Sequence, residues 1–362
     1  MVYLVRHGEP ELRTNESYCI GRTDLCLSER GRRQASDLAA YFSDKNIKAV
    51  YHSYLLRAKE TAELLSDAKC PVIQVNGLEE IDMGEWDGLT FREIRKKDPK
   101  LYERRRTEIA RIAPPGAENF IQGLARFSGA VKAIIKETQG VVQENIVIVA
   151  HAGVNRIFLC EALGLNYNKV LSIAQPYGCI NTLDTKNNCI IVESYGRMPL
   201  DAPGEADCIY LLKKYETPDN VAAHCMAVSR KAVQIAESLN SSCSLNRELI
   251  KSAAILHDIA KTEKNHAKAA FNYLLKCGYP RLADIVRSHH YLEPGDLEKI
   301  TESSIVFYAD KLISGTEEVT LEERFSKSRE QCLTPEALAS HSLQYEQALR
   351  AQELIFQYQD RG

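Results

Sequence analysis

The spacing of apolar residues changes period part-way along this chain, and that change limits what it can fold into. Residues 2–6, Ile47–Tyr51, Val72–Val75 and Ile146–Ala150 are short apolar runs. Helical spacing lies between and after them: from Ser28 to about Phe42, over Leu55–Leu65, after the capping box Thr90–Glu93, over Glu118–Glu137 and after Gly153. Ile146–Ala150 is continuously apolar and rich in β-branched residues, as a strand buried on both faces must be. The alternation predicts an α/β three-layer sandwich with a mainly parallel sheet. Gly178–Leu183 and Cys189–Ser194, joined by residues 184–188, predict a terminal hairpin. Near Gly196 the pattern stops. Pro199, Pro203 and Gly204 break any periodicity, so 197–217 reads as a linker. After Pro218 no strand is predicted. Helical spacing runs over Val221–Leu239, Arg247–Lys261, Ala267–Lys276, Ala283–His290, Leu297–Ser314 and Pro335–Tyr358. The expected division is an α/β domain over 1–196, the linker 197–217, and an all-α domain over 218–362.

With 362 residues there is material for two cores. The formal net charge is -3 with no basic run, which argues against nucleic acid and anionic membranes as partners. No apolar stretch approaches the roughly 18 residues that span a bilayer. The opening Met1–Val5 is too short for a signal peptide. The 11 cysteines include no C-x-x-C pair, so they read as small core hydrophobes in a reducing cytoplasm. Arg104, Arg105 and Arg106 read as a solvated face, and Trp86 as packing for the turn after the third strand. Leu338, Tyr345, Leu349, Leu354 and Phe356 read as the cover of the helical core.

Four segments stand at ends of first-domain strands: Arg6-His7-Gly8-Glu9, Ser53 to Ala62, Leu78 to Gly88, and His151-Ala152-Gly153. Sites in open α/β sheets form outside the carboxyl ends of strands, so these segments can converge. A neutral imidazole attacks phosphorus when a backbone carbonyl holds its other nitrogen as a donor, which makes His7 the candidate nucleophile. Arg6 and Arg57 supply rigid positive forks, and His151 a further donor. Glu80 is the candidate acid for the leaving oxygen, and beside arginines it must be buried to keep a proton. This half resembles the histidine phosphatase, or phosphoglycerate-mutase-like, superfamily over about residues 1–195. The wording Leu78-x-Glu80-Ile81-Asp82-x-Gly84-Glu85-Trp86-x-Gly88 and Ile20-Gly21-Arg22-Thr23-Asp24 is most similar to α-ribazole phosphatases. The resemblance maps the nucleophile onto His7, the phosphate pocket onto Arg6, Arg57 and His151, and the proton donor onto Glu80. It sets Gly8, Gly21, Thr23 and Gly153 beside the substrate, with no cofactor. Pro10 and Arg13 replace the family's usual Thr and Asn, which disfavours a phosphoglycerate mutase.

In the second half, His224, His257-Asp258, His266, His289-His290 and Asp310 follow one another along predicted helices. Adjacent helical residues point about 100° apart, so His257 and Asp258 can grip one ion at a helix end. Mixed imidazole and carboxylate donors suit Fe, Mn, Mg or a similar divalent metal. The segments around His224, His257-Asp258 and Asp310 resemble HD-domain metal-dependent phosphohydrolases over about 218–340. That resemblance implies His224, His257, Asp258 and Asp310 as ligands. Two-metal members add further histidines, for which His266 and His289 or His290 stand in place, so one or two ions are expected, with Lys261 near the bridging phosphate. His52 and His341 stand outside both groups as expected surface residues. The combined expectation is a cytoplasmic, two-domain phosphohydrolase. Its first domain acts on a small phosphorylated metabolite through phosphohistidine, and its second hydrolyses a nucleotide or another phosphate ester. The competing reading is a phosphatase joined to a helical domain that senses metal and nucleotide without turnover.

Overall fold

The computed structural model describes residues 1–12, 14, 16–138, 144–185, 190–239 and 244–359. It divides into two compact units, Met1–Leu200 and Asp201–Gly362.

The first unit holds β1 (Val2–Arg6), α1 (Glu29–Phe42), β2 (Ile47–His52), α2 (Leu56–Ser66) and β3 (Val72–Gln74). These are followed by α3 (Phe91–Lys97), α4 (Pro99–Thr107), α5 (Phe120–Thr138), β4 (Asn145–Ala150), α6 (Ala152–Ala162), β5 (Ile180–Asp184) and β6 (Ile191–Arg197). The sheet order is β3-β2-β4-β1-β5-β6. The first four strands in that order are parallel, and β5 and β6 return antiparallel. The expected hairpin is therefore present, although Cys189 lies outside the described residues. Alternate residues of β1 and β4 serve two cores. Val2, Leu4, Ile146, Ile148 and Ala150 pack with Phe127, Val131 and Phe158 of α5 and α6. Val5, Val147 and Val149 pack with Leu38, Ala58 and Ala62 of α1 and α2. Each fully buried Val, Ile or Leu contributes roughly 1.5–3 kcal/mol, so a polar residue in β4 would cost the sheet its centre. The capping box at Thr90 and Glu93 starts α3, as its spacing predicts.

The second unit holds α7 (Glu205–Lys214), α8 (Asp219–Ser238), α9 (Arg247–Leu256), α10 (His266–Lys276), α11 (Pro280–Arg287) and α12 (Glu302–Lys311). It ends with β7 (Ile313–Ser314), β8 (Glu317–Glu318), α13 (Leu321–Arg329) and α14 (Pro335–Gln359). Three expectations need correction. The stretch 197–217 is not all linker, because α7 packs on α9 and buries Cys208, Leu211 and Leu212. Those residues sit at i, i+3 and i+4, a stripe obscured by the prolines just before it. The second half is not strandless, since β7 and β8 form a two-residue antiparallel ladder. On α14 the core face is Ala348, Ala351, Leu354 and Ile355, while Leu338 and Phe356 are exposed. No helix among the described residues is long and apolar enough to cross a membrane.

Candidate active centres

The register of the central strands builds the first centre. Arg6 pairs with Ala150, so the residues that follow, His7 and His151, emerge side by side. Their rings lie 4.9 Å apart, and the His7 amide donates to the Ala150 carbonyl at 3.1 Å. Both are buried. The Arg57 Nε–H donates to His7 Nε2 at 3.2 Å. A guanidinium only donates, so Nε2 carries a lone pair and the proton is on Nδ1. That Nδ1–H meets the Gly8 carbonyl at 2.6 Å. Burial, then the charges of Arg57 and Arg6, hold His7 well below the usual imidazole range. Burial and Arg57 do the same to His151, whose Nε2 is 2.7 Å from Ser53 Oγ and whose Nδ1 has no partner.

The arginines are fixed by carbonyls rather than by carboxylates. Arg57 Nη1 and Nη2 donate to the Thr23 and Gly21 carbonyls at 2.8 and 2.7 Å, which leaves one N–H on each. Burial lowers the Arg57 pKa, although it stays a cation. Arg6 Nη1 donates to the Gln175 carbonyl, its guanidinium lies 3.6 Å from the Tyr177 ring centroid, and its Nε is unpartnered. Glu80 is buried, as its expected role requires. Its Oε1 accepts the Ile81 and Val154 amides at 2.8 and 3.1 Å, and its Oε2 the Gly153 amide at 2.8 Å. It thus sits at the start of α6, fixed by three backbone N–H groups. Gly153 is required there, since a Cβ would lie 2.5 Å from Glu80 Oε1. Gly8 has a similar reason: a Cβ would lie 2.4 Å from the Gly31 carbonyl oxygen.

The second centre gathers side chains from α8, α12, the start of α10 and the turns after α9 and α11. The α9 helix stops at Leu256, so His257 and Asp258 stand at its C-terminal end. His224, His257 and Asp258 form one group with ligand atoms within 4.8 Å of one another, and His266, His289 and His290 a second. Asp258 joins them: Oδ2 is 3.6 Å from His257 Nε2, and Oδ1 is 3.4 and 3.5 Å from Nε2 of His289 and His266. Asp310 Oδ1 lies 3.2 Å from His224 Nε2 and 3.6 Å from His257 Nε2. All seven expected ligands therefore converge.

The donors fit a cation. Nδ1 of His224, His257 and His289 meets the carbonyl of Gly315, Ala254 and Val286 at 2.8, 2.8 and 2.6 Å. Each ring thus turns Nε2 inward, and those of His257 and His289 are buried without a hydrogen-bond partner. Outer hydrogen bonds of this kind orient metal-binding histidines. Nε2 of His266 and His290 face each other at 2.6 Å. Burial, then His289 and Lys311, push His290 down to about 2, which keeps its lone pairs available. Burial alone would raise Asp258, but the close imidazoles of His289 and His257 and the Lys261 ammonium hold it below the ordinary carboxylate range.

Comparison with known proteins follows the same division. A family model described as histidine phosphatase superfamily (branch 1) matches residues 2–197. The chain belongs to the histidine phosphatase superfamily. A second model, the HD domain, matches residues 221–315. "Phosphoserine phosphatase 1" of Hydrogenobacter thermophilus is 32% identical over 179 residues, covering 49% of this chain and 81% of that protein. "Bifunctional protein Rv2228c" of Mycobacterium tuberculosis is 35% identical over 177 residues, and the match spans only 47% of its length and 47% of this chain. Among solved structures, Bacillus stearothermophilus YhfR superposes with a TM-score of 0.51 at 28% identity, covering 54% of this chain and 96% of that one. Histidine phosphatase and HD domains together place the chain among phosphate-ester hydrolases.

Several residues of the histidine phosphatase domain escaped sequence reasoning. Asp87 accepts the amides of Gly21, Arg22 and Thr23 at 2.7–2.8 Å, and the Thr23 hydroxyl at 2.8 Å. It shapes the loop whose carbonyls hold Arg57, so Gly21 and Thr23 meet the site through that arginine. The signal was available, since Asp87 sits inside the quoted Gly84–Gly88 wording. Thr61 Oγ1 accepts the Gly8 amide at 3.0 Å. Arg126 donates to the carbonyls of Gly77, Glu79 and Glu80 and pairs with Glu118, holding the Glu80 turn. Nothing in its helical spacing marks it. His52, expected at the surface, is buried at the end of β2, with Nδ1 2.7 Å from the Ser53 carbonyl. Pro10 bridges to Leu27, and Arg13 lies outside the described residues. In the HD domain Lys261 Nζ is 2.9 Å from Asp258 Oδ2. Lys311, which the sequence did not single out, is buried 2.7 Å from Asp310 Oδ2.

Proposed function

We propose that the chain is a two-centre phosphohydrolase, with a metal-free phosphomonoesterase in residues 1–196 and a metal-dependent phosphohydrolase in residues 218–362. The observation that carries the first half is the His7 tautomer: Nδ1–H tied to the Gly8 carbonyl, and a lone pair on Nε2 beside Arg57. His7 Nε2 attacks the phosphorus of a small phosphorylated metabolite, and the P–O bond to the alcohol breaks. Arg6, His151 and the remaining Arg57 N–H groups face the phosphoryl oxygens. Glu80 Oε2 accepts one amide and so keeps a lone pair for the proton it hands to the leaving oxygen. Water then attacks the phosphohistidine, Glu80 takes back a proton, and the N–P bond breaks to release inorganic phosphate. The relative named as a phosphoserine phosphatase supports a small metabolite monoester as the substrate class.

In the second centre His224, His257, Asp258 and Asp310 would hold one divalent ion, and His266, His289 and His290 a second, with Asp258 between them. When bound, such ions polarise phosphate oxygens and lower the pKa of water. Asp258 and Asp310 hold Lys261 and Lys311 beside the donors, where their ammonium groups offset the charge of an entering phosphate. Turnover, rather than sensing alone, is favoured by these two cations set against the donor carboxylates. Phosphate release from a panel of monoesters and nucleotides, with and without EDTA, tests both halves. An EDTA-resistant monoesterase and an EDTA-sensitive activity are the expected pair.

A further inference from the structure

A cavity of about 660 Å³ opens onto the HD-domain donors, and more than half of the residues that line it come from outside that family's matched segment. The inner wall includes His224, Asp258 and Asp310. The outer wall is contributed by α13 and α14, beyond residue 315. A volume in this range encloses a whole small ligand, well beyond a single phosphate.

Arg324 and Lys327 stand on this outer wall, three residues apart and so on one face of α13. They differ from the inner cations. Lys261 and Lys311 are each bound to a donor carboxylate at 2.9 and 2.7 Å. Arg324 and Lys327 have no ion pair among the described residues. Glu323 also lines the cavity, but its carboxylate accepts the Thr320 amide at 2.8 Å, as the cap of its own helix. The wall is braced rather than loose. His341 Nε2 lies 2.9 Å from Ser328 Oγ and 3.0 Å from the Phe325 carbonyl, and Phe325 packs on the rings of His341 and Tyr345. His341, expected at the surface, is thus a half-buried strut between α13 and α14.

We infer that Arg324 and Lys327 receive a second phosphate of the substrate, so the HD domain selects compounds with two phosphate groups over monophosphates. Two cations without carboxylate partners, facing the donors across a ligand-sized cavity, are suited to a distant anion. The inference rests on the reading of this centre as a metal-dependent phosphohydrolase.

Non-hydrolysable phosphonates test it on the full-length chain loaded with Mn2+. Propylphosphonate is titrated against 1,3-propylene- and 1,6-hexylenediphosphonate, following the electron paramagnetic resonance of the bound Mn2+, which reports this centre alone. At least one diphosphonate should bind roughly tenfold more tightly, the gain of one net charge-assisted hydrogen bond. In the double variant Arg324→Gln, Lys327→Gln that ratio should fall to near one, and in Lys327→Glu it should fall too. Equal affinities in the wild type, or a preference that survives the double variant, would overturn the inference while leaving the metal reading standing. A wild-type chain that takes up no Mn2+ would overturn both.

Discussion

The two centres use one device for opposite ends. In each, a backbone carbonyl takes the Nδ1–H of a histidine and turns Nε2 into the site: Gly8 for His7, and Gly315, Ala254 and Val286 for His224, His257 and His289. What surrounds Nε2 differs. At His7 it is a guanidinium, itself tied to the Gly21 and Thr23 carbonyls. At His257 and His289 it is another imidazole and a shared carboxylate, with the lone pairs left unpaired. A lone pair next to fixed positive charge is placed to attack an anionic phosphate. Lone pairs gathered around carboxylates are placed to bind a cation. The positive charge a phosphate needs is built into the fold in the first case and imported in the second.

Four results would break or sharpen that contrast. The largest is all-or-none: an alkaline quench during turnover should trap labelled phosphate on the peptide carrying His7, and none in His7→Ala. Label retained in that variant moves the nucleophile elsewhere. Next, Asp258→Ala removes the carboxylate shared by both histidine groups, and elemental analysis should show metal content falling by about tenfold or more. Full metal retention would mean that the ions do not depend on it. A smaller effect is expected for Asp87→Asn, which weakens the acceptor of the Gly21–Thr23 amides. EDTA-resistant kcat/KM should drop by about tenfold through misplacement of Arg57. An unchanged value would separate the loop from the arginine.

The smallest effect is on stability. His7 and His151 have folded pKa values below the ordinary 6.5, so the unfolded chain binds more protons in mild acid. Stability of the histidine phosphatase domain should therefore be lost progressively as pH falls below 6.5, read as a falling urea midpoint. Trp86, the one tryptophan, lies in that domain, so its fluorescence in urea reports the right unit. His151→Gln should flatten the slope.

Legibility in the sequence follows what each residue depends on. Strand β4 and the paired ends at His7 and His151 were readable because a doubly buried strand leaves no choice of residue type. The candidate donors His224, His257, Asp258 and Asp310 were readable because histidines and aspartates in helical apolar segments need a reason to be there, whereas His266, His289 and His290 were legible only through the family resemblance. Asp87 and Arg126 act by holding backbone amides and carbonyls, and backbone groups leave no trace in a residue pattern. His52 and His341 looked peripheral for want of a motif, yet both are taken up by local packing. Helix α7 was hidden because Pro199 and Pro203 stop periodicity just before it begins.

The claim that one chain carries two separate phosphate chemistries is tested most directly by crossing metal removal with two variants. Phosphate release from monoester and nucleotide substrates is measured for His7→Ala and Asp258→Ala, each with and without EDTA. His7→Ala should keep only the activity that EDTA abolishes, and Asp258→Ala only the activity that EDTA spares. Loss of both activities in either variant, or an EDTA-resistant rate in His7→Ala equal to the wild type, would contradict the account.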